Sequence, residues 1–193
     1  MRILFVSLGC DKNLVDTEMM LGLLAEKGYT FTDDESEADV AVVNSCCFIN
    51  DAKEESINTI LQLAELKKEG QLKALIVCGC LAQRYQDEIR TEIPEVDAIM
   101  GTTAIDRIVE TVEEVLAGRG KNHLEDIDRP CVYGTPRSVT TGGHFAYLKI
   151  AEGCNKRCTY CIIPSVRGNY RSVPMDSLVR DCLLYTSDAA DEL

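Results

Sequence analysis

Apolar residues along the chain follow two alternating rhythms. Short apolar runs recur at RILFVSL (2–8), DVAVVNS (39–45), ALIVCGC (74–80) and VDAIMG (96–101). Their length and β-branched content predict buried strands, and Tyr29–Thr32 predicts a shorter one. Between them the spacing becomes helical. Leu14, Val15, Met19, Leu21, Leu23 and Leu24 mark a helix from Leu14 to Lys27 that stops at Gly28. Ile57, Ile60, Leu61, Ala64 and Leu66 mark one face of a helix from Lys53 to Glu69, closed by Gly70. A short helix is predicted from Gln83 to Glu92, before Pro94, and a last one carries Ile105, Ile108, Val109, Val112 and Leu116 up to Gly118. Strands alternating with helices predict parallel βαβ units, hence an α/β fold built on a doubly wound parallel sheet.

Residues 118–143 break the rhythm. Gly118, Gly120, Pro130, Pro136, Gly142 and Gly143 interrupt a stretch with little apolar period, which reads as a linker. HFAYLKIAEG (144–153) then predicts a strand opening a second domain, and Pro174 with MDSLVRD predicts the start of a helix. The expected organisation is a first domain over 1–117, a linker over 118–143 and the start of a second domain over 144–181. CLLYTSDAADE, from Cys182, resembles one reading frame of a sequencing adapter, so 182–193 is expected to be foreign. Without that tail, which holds Asp188, Asp191 and Glu192, the formal charge would change from −12 to about −9.

The chain has 193 residues, 46% of them hydrophobic, enough for one full domain and part of another. No apolar run approaches bilayer-spanning length, and MRILFVSLGC runs into Asp11 and Lys12, as a buried strand does and a signal peptide does not. The expected compartment is the cytoplasm, with no membrane partner. A net charge of −12 opposes a general nucleic-acid-binding surface and suits a basic protein partner or simple solubility. Ten cysteines in a reducing compartment point to ligands or catalytic groups rather than disulfides.

Three of them, Cys10, Cys46 and Cys80, directly follow predicted strands. In an open α/β sheet, ligands bind beyond the carboxyl ends of the strands. With the flavodoxin-like order 2-1-3-4-5, the strands before these cysteines are neighbours, about 4.8 Å apart. Three thiolates can then surround one small cluster. Buried cysteines also pack as small hydrophobes, which suits Cys78 within its strand. Cys47 competes with Cys46, and Cys131 has no evident partner.

A second trio lies in CNKRCTYC: Cys154, Cys158 and Cys161. Three thiolates on a [4Fe–4S] cube leave one iron open for substrate or cofactor. Zinc competes if a fourth ligand such as His144 completes a Cys₃His set.

The spacing of this second trio, with Tyr160 before the last cysteine, resembles the signature of radical S-adenosylmethionine enzymes. SLGCDKNLVDTE (7–18), NSCCFI (44–49) and CGCLAQRY (78–85) resemble the three cysteine motifs of the methylthiotransferase family. AYLKIAEGCNKRCTYCIIPSVRGNYRS (146–172) resembles the radical motif of the branch that modifies a ribosomal protein. Ser45 and Cys47 depart from that pattern, where threonine and a small residue are usual.

The resemblance implies two [4Fe–4S] clusters, held by Cys10, Cys46 and Cys80 and by Cys154, Cys158 and Cys161. It implies S-adenosylmethionine on the open iron of the second, with Tyr160 at the cofactor, and the start of a (β/α) barrel after the linker. The implied chemistry is cleavage of the cofactor to a radical that removes hydrogen from an unactivated carbon. Sulfur insertion and methyl transfer follow, on an aspartate of small-subunit ribosomal protein twelve, with an external electron donor. The sister branch acts on a transfer-RNA adenosine, and its Tyr-Gly-Cys-Gln-like opening is absent. A non-enzymatic iron–sulfur electron carrier is the alternative of another class. A full barrel takes about 250 residues, so residues after Gly143 are expected to lack a core of their own, and this chain alone to show no turnover.

Overall fold

Side chains alternate across a strand, so a strand buried on both faces serves two cores at once. The computed structural model describes residues 1–130 and 132–187, the last four by their backbone alone. Cys131 and the end of the expected foreign tail lie outside the described residues. Strands β1 (Arg2–Ser7), β2 (Thr30–Thr32), β3 (Val40–Ser45), β4 (Ala74–Cys78) and β5 (Ala98–Met100) form one sheet in the order β2-β1-β3-β4-β5. Every pairing is parallel, with Ile3 opposite Val40 and Val40 opposite Ala74. The α/β class and the parallel order are those expected from the alternating rhythm.

Leu4, Ala41, Val43, Leu75, Val77 and Ile99 face one core, under helix α2 (Asn50–Lys68) and the short helices α3 (Gly79–Arg84) and α4 (Gln86–Glu92). Ile3, Val40, Val42, Ile76, Ala98 and Met100 face the other, under α1 (Asp11–Glu26) and α5 (Ile108–Leu116). Each fully buried large aliphatic side chain contributes about 1.5–3 kcal/mol.

Several elements depart from the sequence expectation. The strand expected to run to Cys80 ends at Cys78, and Gly79 and Cys80 begin α3. The expected single helix over 83–92 is two, because Tyr85 leaves helical geometry between them. On α2 the buried positions are Ser56, Ile60, Leu63 and Ala64, and the expected Leu61 is 44% exposed. The strand expected over 144–153 forms only as β6 (Ala151–Glu152), paired antiparallel with β7 (Arg171–Ser172). The apolar pattern was there, but a strand needs a hydrogen-bonded neighbour, and β7 offers two residues.

Residues 118–143 contain no helix or strand among the described residues, yet they are held. His123 bridges β5, with its N–H on the Ile99 carbonyl at 2.8 Å. Pro136 then crosses α1 so closely that a Cβ on Gly22 would meet its carbonyl carbon at 2.5 Å. Glu18, fully buried on α1, accepts from the Arg137 Nε at 2.8 Å and from the Thr140 N–H at 2.7 Å. This strap explains why α1 buries Glu18 and Gly22 beyond its sheet-facing stripe. The chain continues through α6 (Ile163–Arg167) to α7 (Met175–Ser187).

Candidate functional site

The carboxyl ends of β1, β3 and β4 deliver three cysteines to one place. Cys10 is the N-cap residue of α1 and makes no side-chain capping bond. Cys46 follows β3, and Cys80 lies in the first turn of α3 after β4. All three line one cavity of about 580 Å³, together with Gly9, Phe48, Ile49 and Arg167. Gly9 makes the approach possible. Its φ is +94°, and a Cβ there would sit 2.6 Å from the Cys46 sulfur. Only glycine adopts that backbone without strain and leaves room for the thiol.

Polar side chains fix these loop ends. Ser56 of α2 accepts the Cys46 N–H at 2.9 Å and donates to the Cys46 carbonyl at 3.1 Å. Asn13 of α1 donates to the Leu8 carbonyl at 2.8 Å and the Ser45 carbonyl at 3.1 Å, tying the first loop to the second. Ser45 donates to the Cys78 carbonyl at 2.5 Å, tying the second to the third. With the backbone groups at these strand ends satisfied, their geometry is set before anything binds.

The adjacent pair Cys46-Cys47 separates onto two sides. Cys46 borders the cavity. Cys47 packs in the core under α2, with its S–H on the Cys80 carbonyl at 3.3 Å. Burial, reinforced by Cys80, pushes the Cys47 thiol up to about 11. Cys78 is wholly buried in the opposite core, and burial pushes its thiol up strongly.

The second trio is placed differently. The Cys161 N–H donates to the Cys158 carbonyl at 3.0 Å, and the Cys154 N–H to the Gly168 carbonyl at 3.1 Å. Arg157 between them has a left-handed φ of 49°. Cys154 lines the cavity with the first trio, but Cys158 and Cys161 do not. Cys158 and His144 are exposed, and Tyr160 is 90% exposed. All described cysteines are free thiols. Among the described residues no three or more His, Cys, Asp or Glu side chains gather closely enough to hold a metal ion as they stand.

A buried charged group borders the cavity, with little sign of it in the amino-acid pattern. Arg167, at the end of α6, donates to Asp16 at 2.6 Å and Glu152 at 3.1 Å. It also donates to the Asn13 side chain and, through Nε, to the Cys80 sulfur at 3.3 Å. Lys149 pairs with Asp16 and, at 3.3 Å, with Glu152. Burial alone would raise the Glu152 carboxyl, but Arg167, Lys149 and Lys12 outweigh it and hold it far below its ordinary value. Burial also pushes the Cys80 thiol up, against the opposing pull of Arg167. The available signal was Asn13, Asp16 and Thr17, polar residues three and four apart on one side of α1.

Residues 2–101, from β1 through β5, match the profile of the family described as Uncharacterized protein family UPF0004. The chain belongs to that family. The matched span contains Cys10, Cys46 and Cys80. Among curated relatives of this UPF0004 chain, a protein of Lachnoclostridium phytofermentans named ribosomal protein uS12 methylthiotransferase RimO is 58% identical over all 193 residues. Proteins of the same name from Clostridioides difficile and Trichlorobacter lovleyi are 48% and 49% identical over 100% and 93% of the chain. The chain spans 44%, 44% and 40% of the lengths of these three relatives. No helix among the described residues is long and apolar enough to cross a membrane.

Proposed function

We propose that the chain carries both metal-binding parts of a radical S-adenosylmethionine methylthiotransferase acting on an aspartate of ribosomal protein uS12, in the cytoplasm. The observation that carries this reading is the shared cavity. Three cysteines from three strand ends line it, and Cys154 of the second trio borders the same space. The names of the relatives supply ribosomal protein uS12 as the substrate.

The residues present suit a [4Fe–4S] cluster better than a single ion. One zinc needs all its sulfurs about 2.3 Å from a common point, whereas a cube takes its thiolates on different irons. Cys10, Cys46 and Cys80 surround a cavity without meeting at a point, and the space between them is glycine-lined and largely apolar. Cys46 is the ligand rather than Cys47, because Cys46 lines the cavity and Cys47 does not. Cys154, Cys158 and Cys161 would hold the second cluster and, with Tyr160, receive S-adenosylmethionine. When bound, the clusters would relay the electron and, with the cofactor, supply the sulfur and methyl group that the reaction needs. The chain's own part is to hold the thiolates, fix the loop ends through Ser56 and Asn13, and bring Cys154 of the second trio to the cavity of the first. The electron comes from an external donor.

Anaerobic reconstitution tests the ligand assignment. About eight irons per chain are expected, and about four after either trio is replaced by alanine. A single cluster in the parent chain overturns it. Deletion of the gene from its host tests the substrate: the methylthio group should vanish from the uS12 aspartate in intact-protein mass spectra. Loss from a transfer-RNA adenosine instead would assign the sister activity. A cluster spectrum indifferent to S-adenosylmethionine would favour an electron carrier.

A further inference from the structure

Arg167 is the most completely buried cation bordering the cavity, and one of its bonds has no purely structural explanation. Bonds to Asp16, Glu152 and Asn13 would suffice to seat a guanidinium. Its Nε nevertheless points at the Cys80 sulfur, 3.3 Å away. The buried cations Lys149 and Arg167 are already balanced by the carboxylates Asp16 and Glu152, and Lys12 is 43% exposed. The contact with the Cys80 sulfur is therefore not needed to neutralise the group, and Cys80 lines the same cavity as Cys10 and Cys46.

We propose that Arg167 is a positioning residue for the strand-end cluster: its guanidinium holds the Cys80 sulfur as an anionic ligand and offsets the negative charge gained when the cluster takes up an electron. This rests on the reading of Cys10, Cys46 and Cys80 as ligands. Hydrogen bonds to ligand sulfurs and nearby net charge are main determinants of a cluster's potential. Arg167 supplies both from a segment 87 residues away in sequence from Cys80. It thus couples the loop that carries the second trio to the electronic state of the first.

The test uses this chain with Cys154, Cys158 and Cys161 all replaced by alanine, so that only the strand-end cluster forms. The reconstituted protein is titrated with dithionite in the presence of mediator dyes, and the dithionite supplies the electron. Arg167→Met is expected to make reduction at least tenfold less favourable, a midpoint more negative by about 59 mV for one electron. Arg167→Lys, which keeps the charge and loses the fork, should fall between. Asp16→Asn removes a negative charge from the same group and should move the midpoint the opposite way. Both outer variants break the charged group, so a merely structural Arg167 predicts that their midpoints do not diverge.

Unchanged midpoints, or shifts of one sign in Arg167→Met and Asp16→Asn, overturn the inference while about four bound irons leave the ligand reading standing. No bound iron in the triple-alanine chain overturns both. If Arg167→Met does not fold, Arg167→Lys and Asp16→Asn still decide, because the inference requires opposite shifts from them.

Discussion

The two cysteine trios are built by opposite means. The first comes from residues 10, 46 and 80, and only the order of the sheet makes them neighbours. The second comes from eight consecutive residues and needs no topology. The structure holds the dispersed trio firmly, with Ser56, Asn13 and Ser45 on its loop ends and a common cavity in front. It leaves Cys158 of the compact trio, and the neighbouring Tyr160, in solvent. Proximity in sequence therefore keeps cysteines near one another, whereas parallel-sheet geometry fixes where they stand.

The sharpest way to break that contrast is to unseat the first trio. Cys80→Ala should abolish the strand-end cluster, seen as loss of about half the bound iron and its magnetic-resonance signal. Cys47→Ala, one residue from the proposed ligand Cys46, should keep the full iron content. Equal loss in both would mean that the division between cavity and core does not select the ligand.

Stability should divide the regions next. Removing one partner of a buried ion pair leaves an unpaired charge and costs about 3–5 kcal/mol. Arg137→Met strands Glu18 and should lower the free energy of unfolding, read from urea titration, by that amount. Leu75→Ala, in the core under α2, should cost about 2–5 kcal/mol by the same measurement. At the other extreme, Tyr160→Ala should stay within about 0.5 kcal/mol of the parent, as an exposed loop position does. Trypsin should cut first in the exposed Lys156-Arg157 stretch, before any site in the sheet. Primary cleavage within β1–β5 would reverse the proposed ranking of rigidity.

How much of this was legible follows from the range of the interactions. Strand positions and their parallel order could be read because β3 and β4 are unbroken β-branched runs between helical spacings. The strand-end cysteines then followed from the order. The buried face of α2 was misjudged because the run of apolar residues continues to Leu61, one position past the true stripe. Arg167 was invisible because SVRGNY reads as a polar turn, and its partners lie on α1, α3 and β6. The strap over Gly22 was equally hidden: a glycine in a helix says that something comes close, but not that Pro136 does.

The buried carboxylates of α1 have a consequence for synthesis on the ribosome. Glu18 waits 119 residues for Arg137, and Asp16 waits 151 for Arg167. At about 5–20 residues per second, the first interval alone lasts roughly 6 to 24 seconds. Throughout it the nascent α1 carries anions whose cations have not yet been made, and sealing it against the finished sheet would strand them. The amino-terminal half should therefore emerge loosely docked and tighten only when the later segment arrives to neutralise it.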